Sequence, residues 1–261
     1  MRTVIHVSDL HFGSILQPTL EPLLEIIWSL KPDLVIVSGD LTQRAKVEQF
    51  REAAAFIARM PLPRIVVPGN HDIPLYDVLR RFVAPLERYK EFITTDLSPV
   101  YFDDALAVIG INSARSLTFK GGTLDEQQVA DAAALFHKME KGQTKIVVAH
   151  HPLDIPVGLS GVSVVHGAEM AVKAFARCGV DLFLGGHLHL IHQASAEIFQ
   201  PGYCATILQA GTATSTRARG EPNSFFAFRI DGERIEVDTF SWMAAAKAFG
   251  LTNSRALPAR H

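Results

Sequence analysis

Short runs of apolar and β-branched residues recur along the chain, and five of them end in a cluster of polar residues. Runs of four or five such residues, bounded by glycine or proline, are typical of strands that are buried on both faces of a sheet. The pattern therefore predicts strands over residues 3–7, 33–37, 64–67, 107–111, 145–149 and 180–184.

Between several of these strands the spacing of apolar residues changes to three or four, which is typical of a helix with one buried face. Stripes of this kind predict helices over residues 47–57 and 124–139. Beyond residue 189 the pattern returns to extended segments joined by short turns, and Asp231-Gly232 suits a hairpin turn. The predicted strands of this part cover residues 203–209, 224–230 and 234–240.

The alternation of strands and helices predicts one α/β domain over residues 1–243, with an antiparallel C-terminal part. A length of 261 residues suits a single domain of this kind. The tail over residues 244–261 has no strong pattern beyond a short alanine-rich helix, and no role is assigned to it.

Composition narrows the classes of function. The 48% apolar content, with 16 phenylalanines, is enough for a packed core and argues against disorder. The net charge of −2 gives no basic excess, so we expect no nucleic acid partner. Cys178 and Cys204 are too few for a disulfide framework, and we expect both to be small buried side chains.

The N-terminal residues contain no apolar segment followed by a small-residue cleavage site. The longest apolar stretches are also far shorter than the roughly 20 residues that a membrane-spanning helix needs. We therefore expect a cytoplasmic protein without a membrane span.

Polar residues with metal-binding side chains follow five of the predicted strands. In open α/β sheets ligands bind at the carboxyl ends of the strands, where the following loops converge. Carboxylate, imidazole and amide donors suit manganese, iron, zinc or nickel. Seven donors exceed the need of one ion with an open position, and they suit two divalent or trivalent ions that share a carboxylate. The candidate ligands are Asp9, His11, Asp40, Asn70, His150, His187 and His189.

The order of these motifs resembles the calcineurin-like metallophosphoesterase family. Two further motifs, His150-His151-Pro152 and Gly122-x-Leu124-x-x-Gln127, are similar to those of its cyclic-nucleotide and glycerophosphodiester phosphodiesterase branch. The motifs that carry the family resemblance are Asp9-x-His11, Gly39-Asp40, Gly69-Asn70-His71-Asp72, His150 and Gly186-His187-x-His189.

The resemblance implies a fold and a set of ligands. The fold would be an αββα sandwich, in which two mixed β-sheets are flanked by helices. The family's roles, carried over by matched position, assign one metal to Asp9, His11 and His189, the other to Asn70, His150 and His187, and the bridge between them to Asp40.

The resemblance also implies a mechanism, in which a hydroxide that bridges the metals attacks phosphorus in line with the leaving group. His71 would protonate the leaving alkoxide, and Asp72 would orient His71 by accepting a hydrogen bond from its other ring nitrogen. Asn70, His71 and His151 would contact the substrate, which we expect to be a small phosphodiester.

Several alternatives stay open. A phosphomonoesterase or a nuclease could use the same ligands, and some relatives are non-catalytic interaction modules, although none of the family's ligands is missing from this chain. A lipid-intermediate pyrophosphatase would need an amphipathic membrane-facing helix, which the sequence pattern does not predict. The substrate, the metal pair and any homo-oligomer are left undetermined.

The remaining polar residues receive simpler interpretations. Arg115 suits a surface salt bridge better than a phosphate contact. A glycine-containing loop over residues 153–167 could cover the site. Five histidines match no motif and are expected to be structural or surface residues: His6, His137, His166, His192 and His261.

Overall fold

The computed structural model of the chain describes residues 1–117, 121–139 and 142–258, and its strands form two six-stranded sheets. The helices lie on the outer faces of the sheets. The strands are β1 (Arg2–Val7), β2 (Leu34–Ser38), β3 (Arg64–Val67), β4 (Val100–Phe102), β5 (Leu106–Gly110), β6 (Thr144–Val148), β7 (Leu182–Gly185), β8 (His192–Ser195), β9 (Thr206–Gln209), β10 (Ser224–Asp231), β11 (Arg234–Met243) and β12 (Ala248–Ala256).

Both sheets are mixed, as the family resemblance implied. The first has the order β12-β11-β10-β1-β2-β3, in which β1, β2 and β3 are parallel and β10 runs antiparallel to β1. The second has the order β4-β5-β6-β7-β9-β8, with β4 and β8 antiparallel at its two edges. The helices are α1 (Leu20–Ser29), α2 (Val47–Ala58), α3 (Val78–Val83), α4 (Glu87–Phe92), α5 (Glu126–His137) and α6 (Ala168–Ala176).

Successive residues of the central strands belong to two different cores, because side chains alternate between the faces of a sheet. Ile36 of β2 and Ile146 of β6 belong to the core between the sheets. Val35, the next residue of β2, packs in the outer core with Leu23 of α1 and Phe50 of α2. Both faces of these strands are buried, which explains why the sequence reads as continuous apolar runs. The predicted αββα sandwich is confirmed.

The predicted strands before residue 189 and the helices over 47–57 and 124–139 are all found, with small shifts of their ends. The alanine-rich helix expected in the tail is wrong. Residues 248–256 form β12, which pairs antiparallel with β11. Phe249 explains why this segment forms a strand. Its ring packs against the sheet, 5.5 Å from the ring of Trp242 and 5.6 Å from that of Phe225.

The cysteines differ from each other. Cys178 is buried, as expected, but Cys204 is exposed, so the expectation for it is wrong. It lies in the loop that leads into β9, before the chain enters the sheet. No helix among residues 1–117, 121–139 and 142–258 is both long enough and apolar enough to cross a membrane.

Candidate metal centre

Five loops converge at one edge of the sandwich. The loops after β1, β2 and β3 come from the first sheet, and those after β6 and β7 come from the second. Within each sheet these strands run parallel to one another, so their carboxyl ends bring the predicted ligands together. Asp9, His11 and His150 are fully buried there, and Asp40 is 1% exposed.

Five of the predicted ligands have a left-handed backbone conformation, which residues other than glycine seldom adopt. Hydrogen bonds between loops hold it: the Asp9 N–H donates to the Gly39 carbonyl (3.1 Å) and the His11 N–H to the Asp40 carbonyl (2.9 Å). Such conformations cost about 1–3 kcal/mol each and cluster at functional sites. The five residues, with φ between 50° and 70°, are Asp9, His11, Asp40, His187 and His189.

The first ligand cluster contains Asp9, His11, Asp40 and His189. The Nε2 atoms of His11 and His189 lie 2.9 Å apart, and Asp9 Oδ1 lies 3.2 Å from His189 Nε2. Asp40 Oδ2 lies 3.5 Å from His11 Nε2. Asp9 Oδ1 is buried and has no hydrogen-bond partner among the described residues. A buried carboxylate oxygen without a donor, facing two imidazole nitrogens, fits a metal ion.

The second ligand cluster lies on the other side of Asp40. Asp40 Oδ1 and Asn70 Oδ1 are each 3.3 Å from His150 Nε2. Asn70 Oδ1 is also 3.0 Å from His187 Nδ1. The two oxygens of the Asp40 carboxylate therefore face different clusters, which is the arrangement expected of a bridging ligand.

A second layer of hydrogen bonds holds Asp9. Its Oδ2 accepts from Ser8 Oγ (2.7 Å) and from the His187 backbone N–H (2.9 Å). Gly186 packs against the same group so closely that a side chain there would overlap Ser8 and Asp9. Oδ1 is therefore the Asp9 oxygen that is turned toward the first cluster.

Two of the histidines are oriented by backbone carbonyls. His150 Nδ1 donates to the Ser38 carbonyl (2.7 Å), and His189 Nδ1 donates to the Arg217 carbonyl (3.0 Å). These bonds place a proton on Nδ1 and leave Nε2 as the ring atom that faces the site. Such second-layer contacts typically fix the ring orientation of metal-binding histidines.

Burial and neighbouring charges shift the pKa values of the candidate ligands in different directions. Burial lowers the pKa of His11, and it lowers the pKa of His187 to about 3, so both rings are neutral. Burial alone would raise the pKa of Asp9 and Asp40, but the neighbouring histidines hold both well below the usual range. Burial opposes the charged form of His150, but Asp40 and Asp9 raise its pKa to about 9.

His151, predicted to contact the substrate, is buried against the second cluster. Its ring centroid lies 5.0 Å from those of His150 and His187. Its Nδ1 is 2.8 Å from Ser113 Oγ, a partner that sequence reasoning did not find. Its Nε2 is buried without a hydrogen-bond partner among the described residues, and burial holds the pKa of the ring well below its usual value.

His71 lies at the edge of the first cluster and is partly exposed. Its ring stands edge-on to that of His11, with the centroids 4.9 Å apart. Its backbone N–H donates to Asp40 Oδ1 (2.8 Å), and its Nδ1 hydrogen-bonds to the Gln43 carbonyl (2.9 Å). These contacts leave Nε2 as the ring atom that faces outward.

The expected hydrogen bond from His71 to Asp72 is wrong, because the Gln43 carbonyl occupies that position. The Asp72 carboxylate instead accepts from the backbone N–H groups of Gly69 (2.9 Å), Thr42 (2.9 Å) and Leu41 (3.2 Å). It thus ties the loop after β2 to the loop after β3. Burial and the nearby Asp40 carboxylate raise the pKa of Asp72 to about 7, against the effect of these N–H groups.

Two arginines beside His71 were missed by the sequence interpretation. Arg217 Nη1 lies 3.1 Å from His71 Nε2, and Arg44 Nη1 lies 3.4 Å from His71 Nδ1. Both line a cavity of about 220 Å³ next to Asn70 and His71. Arg44 follows Asp40 closely in sequence and could have been considered with that motif, but Arg217 lies beyond every motif and gave no signal.

Arg115 and the described histidines outside the motifs contact residues other than the candidate ligands. Arg115 forms the expected salt bridge, to Asp125 (2.8 Å). The ring of His192 is 2.7 Å from Asp154, which anchors the loop over 153–167 to β8. Four further histidines were expected to be structural or surface residues. His6 is buried beside Ser38, His137 contacts Cys178, and His166 forms a β-bridge with Thr123. His261 lies outside the described residues.

Comparison with known proteins agrees with the family resemblance of the motifs. The profile of a family described as calcineurin-like phosphoesterase matches residues 2–190. A probable glycerophosphodiester phosphodiesterase GpdQ from Arcobacter nitrofigilis is 28% identical over 163 residues, which cover 62% of this chain and 58% of that protein. A transmembrane protein with metallophosphoesterase domain from Danio rerio is 26% identical over 71% of this chain and 40% of that protein. The chain thus spans about half the length of these relatives.

Solved structures share the fold at low identity. The purple acid phosphatase PPD1 from yellow lupin superposes with a TM-score of 0.75 at 14% identity, over 98% of this chain and 53% of that one. A dimetal phosphatase from Danio rerio gives a TM-score of 0.68 at 13% identity, over 99% of both chains. These likenesses are evidence for the architecture alone.

Proposed function

Since the chain belongs to the calcineurin-like phosphoesterase family, we propose that it hydrolyses small phosphodiesters at a centre that holds two metal ions. The observation that carries the two-ion proposal is the Asp40 carboxylate, whose two oxygens face different ligand clusters. The preference for diesters is supported by the similarity to the probable glycerophosphodiester phosphodiesterase.

The proposed ligands divide as the clusters do. Asp9, His11 and His189 would hold one ion, three residues of the second cluster would hold the other, and Asp40 would contact both. Oxygen and imidazole donors fit manganese, iron, zinc or nickel. When bound, two such ions would make hydroxide available near neutral pH and would offset the charge of the phosphoryl oxygens. The second set comprises Asn70, His150 and His187, with the buried Nε2 of His151 nearby.

His71 is the proposed general acid. The Gln43 carbonyl accepts from Nδ1 in both protonation states of the ring, so Nε2 is the atom that can give up its proton. Asp40 accepts from the His71 backbone and so fixes the ring relative to the clusters. Protonation of a leaving alkoxide by a positioned group contributes about 10²–10⁴-fold to the rate.

The test is hydrolysis of bis(p-nitrophenyl) phosphate and p-nitrophenyl phosphate by protein stripped of metal and reconstituted with each candidate metal. We expect metal-dependent cleavage of the diester to exceed that of the monoester. Asp40→Asn should reduce the bound metal from two ions per chain, counted by elemental analysis. Asp154→Asn, a partly buried carboxylate outside the clusters, is the control.

Each part of the proposal has its own contrary result. Preference for the monoester would make the protein a phosphatase. Two bound metals in Asp40→Asn would refute the bridge. Bound metal without hydrolysis of either ester would contradict the proposed reaction and favour an interaction module.

A further inference from the structure

Two guanidinium groups converge on His71. Arg217 Nη1 contacts His71 Nε2 (3.1 Å), and Arg44 lies beside Nδ1. Among the ion pairs of the described residues, neither arginine has an acidic partner. The guanidinium carbon of Arg44 lies over the ring of Tyr76, 5.9 Å from its centroid.

The two arginines line the cavity of about 220 Å³ beside the candidate metal centre. Asn70 and His71 belong to the same wall, so the cavity adjoins both the second cluster and the proposed general acid. A third arginine, Arg81, also lines it, although its side chain is 2% exposed. Among the described residues that line the cavity, three are arginines and none is acidic, which favours an anionic ligand.

We propose that this cavity binds a carboxylate or phosphate group on the alcohol that leaves during hydrolysis. The inference deepens the proposed function and rests on it. His71 Nε2 faces the leaving oxygen if it donates the proton there, and Arg217 contacts that same nitrogen. A group held by Arg217 and Arg44 therefore belongs to the leaving alcohol and not to the alcohol that stays on phosphorus.

The chemistry of the arginines fits this substrate class. A guanidinium group presents a planar fork of donors that matches carboxylates and phosphates, and such hydrogen bonds are about twice as strong as neutral ones. An anion on the leaving alcohol would also draw Arg217 away from Nε2, which frees this nitrogen for proton transfer. The preference should therefore be visible in KM and in kcat/KM.

The kinetic test compares two chromogenic diesters. One is methyl 3-carboxy-4-nitrophenyl phosphate, whose leaving phenol carries a carboxylate, and the other is the same compound with that carboxylate methyl-esterified. We expect the metal-loaded protein to prefer the carboxylate by about 10- to 100-fold in kcat/KM. Arg217→Ala and Arg44→Ala should each remove most of this preference. Arg219→Ala, which removes an exposed arginine from the same loop, should keep it.

A binding measurement supplies a readout that does not depend on turnover. Calorimetric titration with glycerol, glycerate and glycerol 3-phosphate distinguishes a neutral alcohol from one with a carboxylate or a phosphate. We expect one or both anions to bind, glycerol to bind far more weakly, and Arg217→Ala to weaken only the anions. The anion that binds more tightly identifies the substrate's group.

The outcomes separate this inference from the proposed function. Hydrolysis of both diesters at equal efficiency by the unmodified protein would overturn the inference and leave the proposed function intact. An equal loss on both diesters in Arg217→Ala would also overturn it, because the arginine would then hold the phosphate under attack. Absence of hydrolysis with anion binding retained would refute the proposed reaction alone.

Discussion

Gly186 offers the sharpest test of the second layer around the candidate metal centre. A Cβ built at this position would lie 2.9 Å from Ser8 Cβ and closer still to Ser8 Oγ and Asp9 Oδ2. Gly186 is not among the glycines with a left-handed backbone, so Gly186→Ala acts through the space that the methyl group needs. The added methyl must displace the hydroxyl and the carboxylate that it orients.

The magnitude follows from what the methyl disturbs. Forcing an extra carbon into a packed interior costs about 1–3 kcal/mol of unfolding free energy. Loss of the contact that orients a ligand typically lowers metal affinity 10- to 100-fold. Since Asp9 belongs to the first cluster only, we expect one ion to be weakened far more than the other.

The assay is a metal titration against a chelator of known affinity, together with urea unfolding of the metal-free protein. Gly250→Ala is the matched control. Its Cβ would lie 2.9 Å from Met243 Sδ and closer still to Met243 Cε, at the far end of a flexible side chain that is not one of the ligands. We expect this control to cost less than about 1 kcal/mol, because methionine adapts its shape readily, and to leave both affinities unchanged.

One combination of results would refute the reasoning. If Gly186→Ala lowered the unfolding free energy by the expected amount but bound both ions as tightly as the unmodified protein, the orientation of Asp9 by Ser8 would not determine affinity. A uniform loss of both ions would likewise show that the effect is not confined to the first cluster.

Three further predictions concern single residues. His71→Ala should keep its metal and lose at least 10²-fold in turnover with poor leaving groups, by steady-state kinetics; near-normal turnover would exclude it as the acid. Asp72→Asn presents an amide to backbone donors and should cost about 2–4 kcal/mol in urea unfolding; a neutral result would mean that those N–H groups find other acceptors. Burial of Asp103 favours the neutral acid, but hydrogen bonds from Arg2 and from backbone N–H groups outweigh burial and lower its pKa. The charged Asp103 therefore stabilises the fold above about pH 4, and this stabilisation is lost as the pH falls through the lowered pKa. Asp103→Asn should lower the urea midpoint at pH 7 and not at pH 2, and an equal loss at both would exclude this charge effect.

The pattern of apolar residues was enough to predict two features, the buried strands of the sandwich and the clustering of the ligands at one edge of the sheets, for one physical reason. Strands buried on both faces are continuously apolar, and parallel strands end at a common edge. Asp9 and Asp40 could therefore be located from the runs that precede them, without knowledge of any contact. The division of the ligands between two ions came from the family resemblance.

What the sequence could not reveal depends on contacts between distant parts of the chain. Arg217 reaches His71 across 146 residues, through a loop with no periodic pattern. Asp72 lies next to His71 in sequence, but its carboxylate turns to the backbone of Thr42. The tail strand was missed because alanines near residue 245 favour a helix locally, whereas the ring of Phe249 decides for the sheet.

The left-handed backbone at five of the predicted ligands sets an energetic requirement for forming the candidate metal centre. At about 1 kcal/mol or more for each residue, the total is comparable to the net stability of a typical domain. The rest of the sandwich must supply that energy as the chain folds. A sandwich that supplies this energy would hold the ligands in position before a metal ion binds, so binding would not have to order these loops.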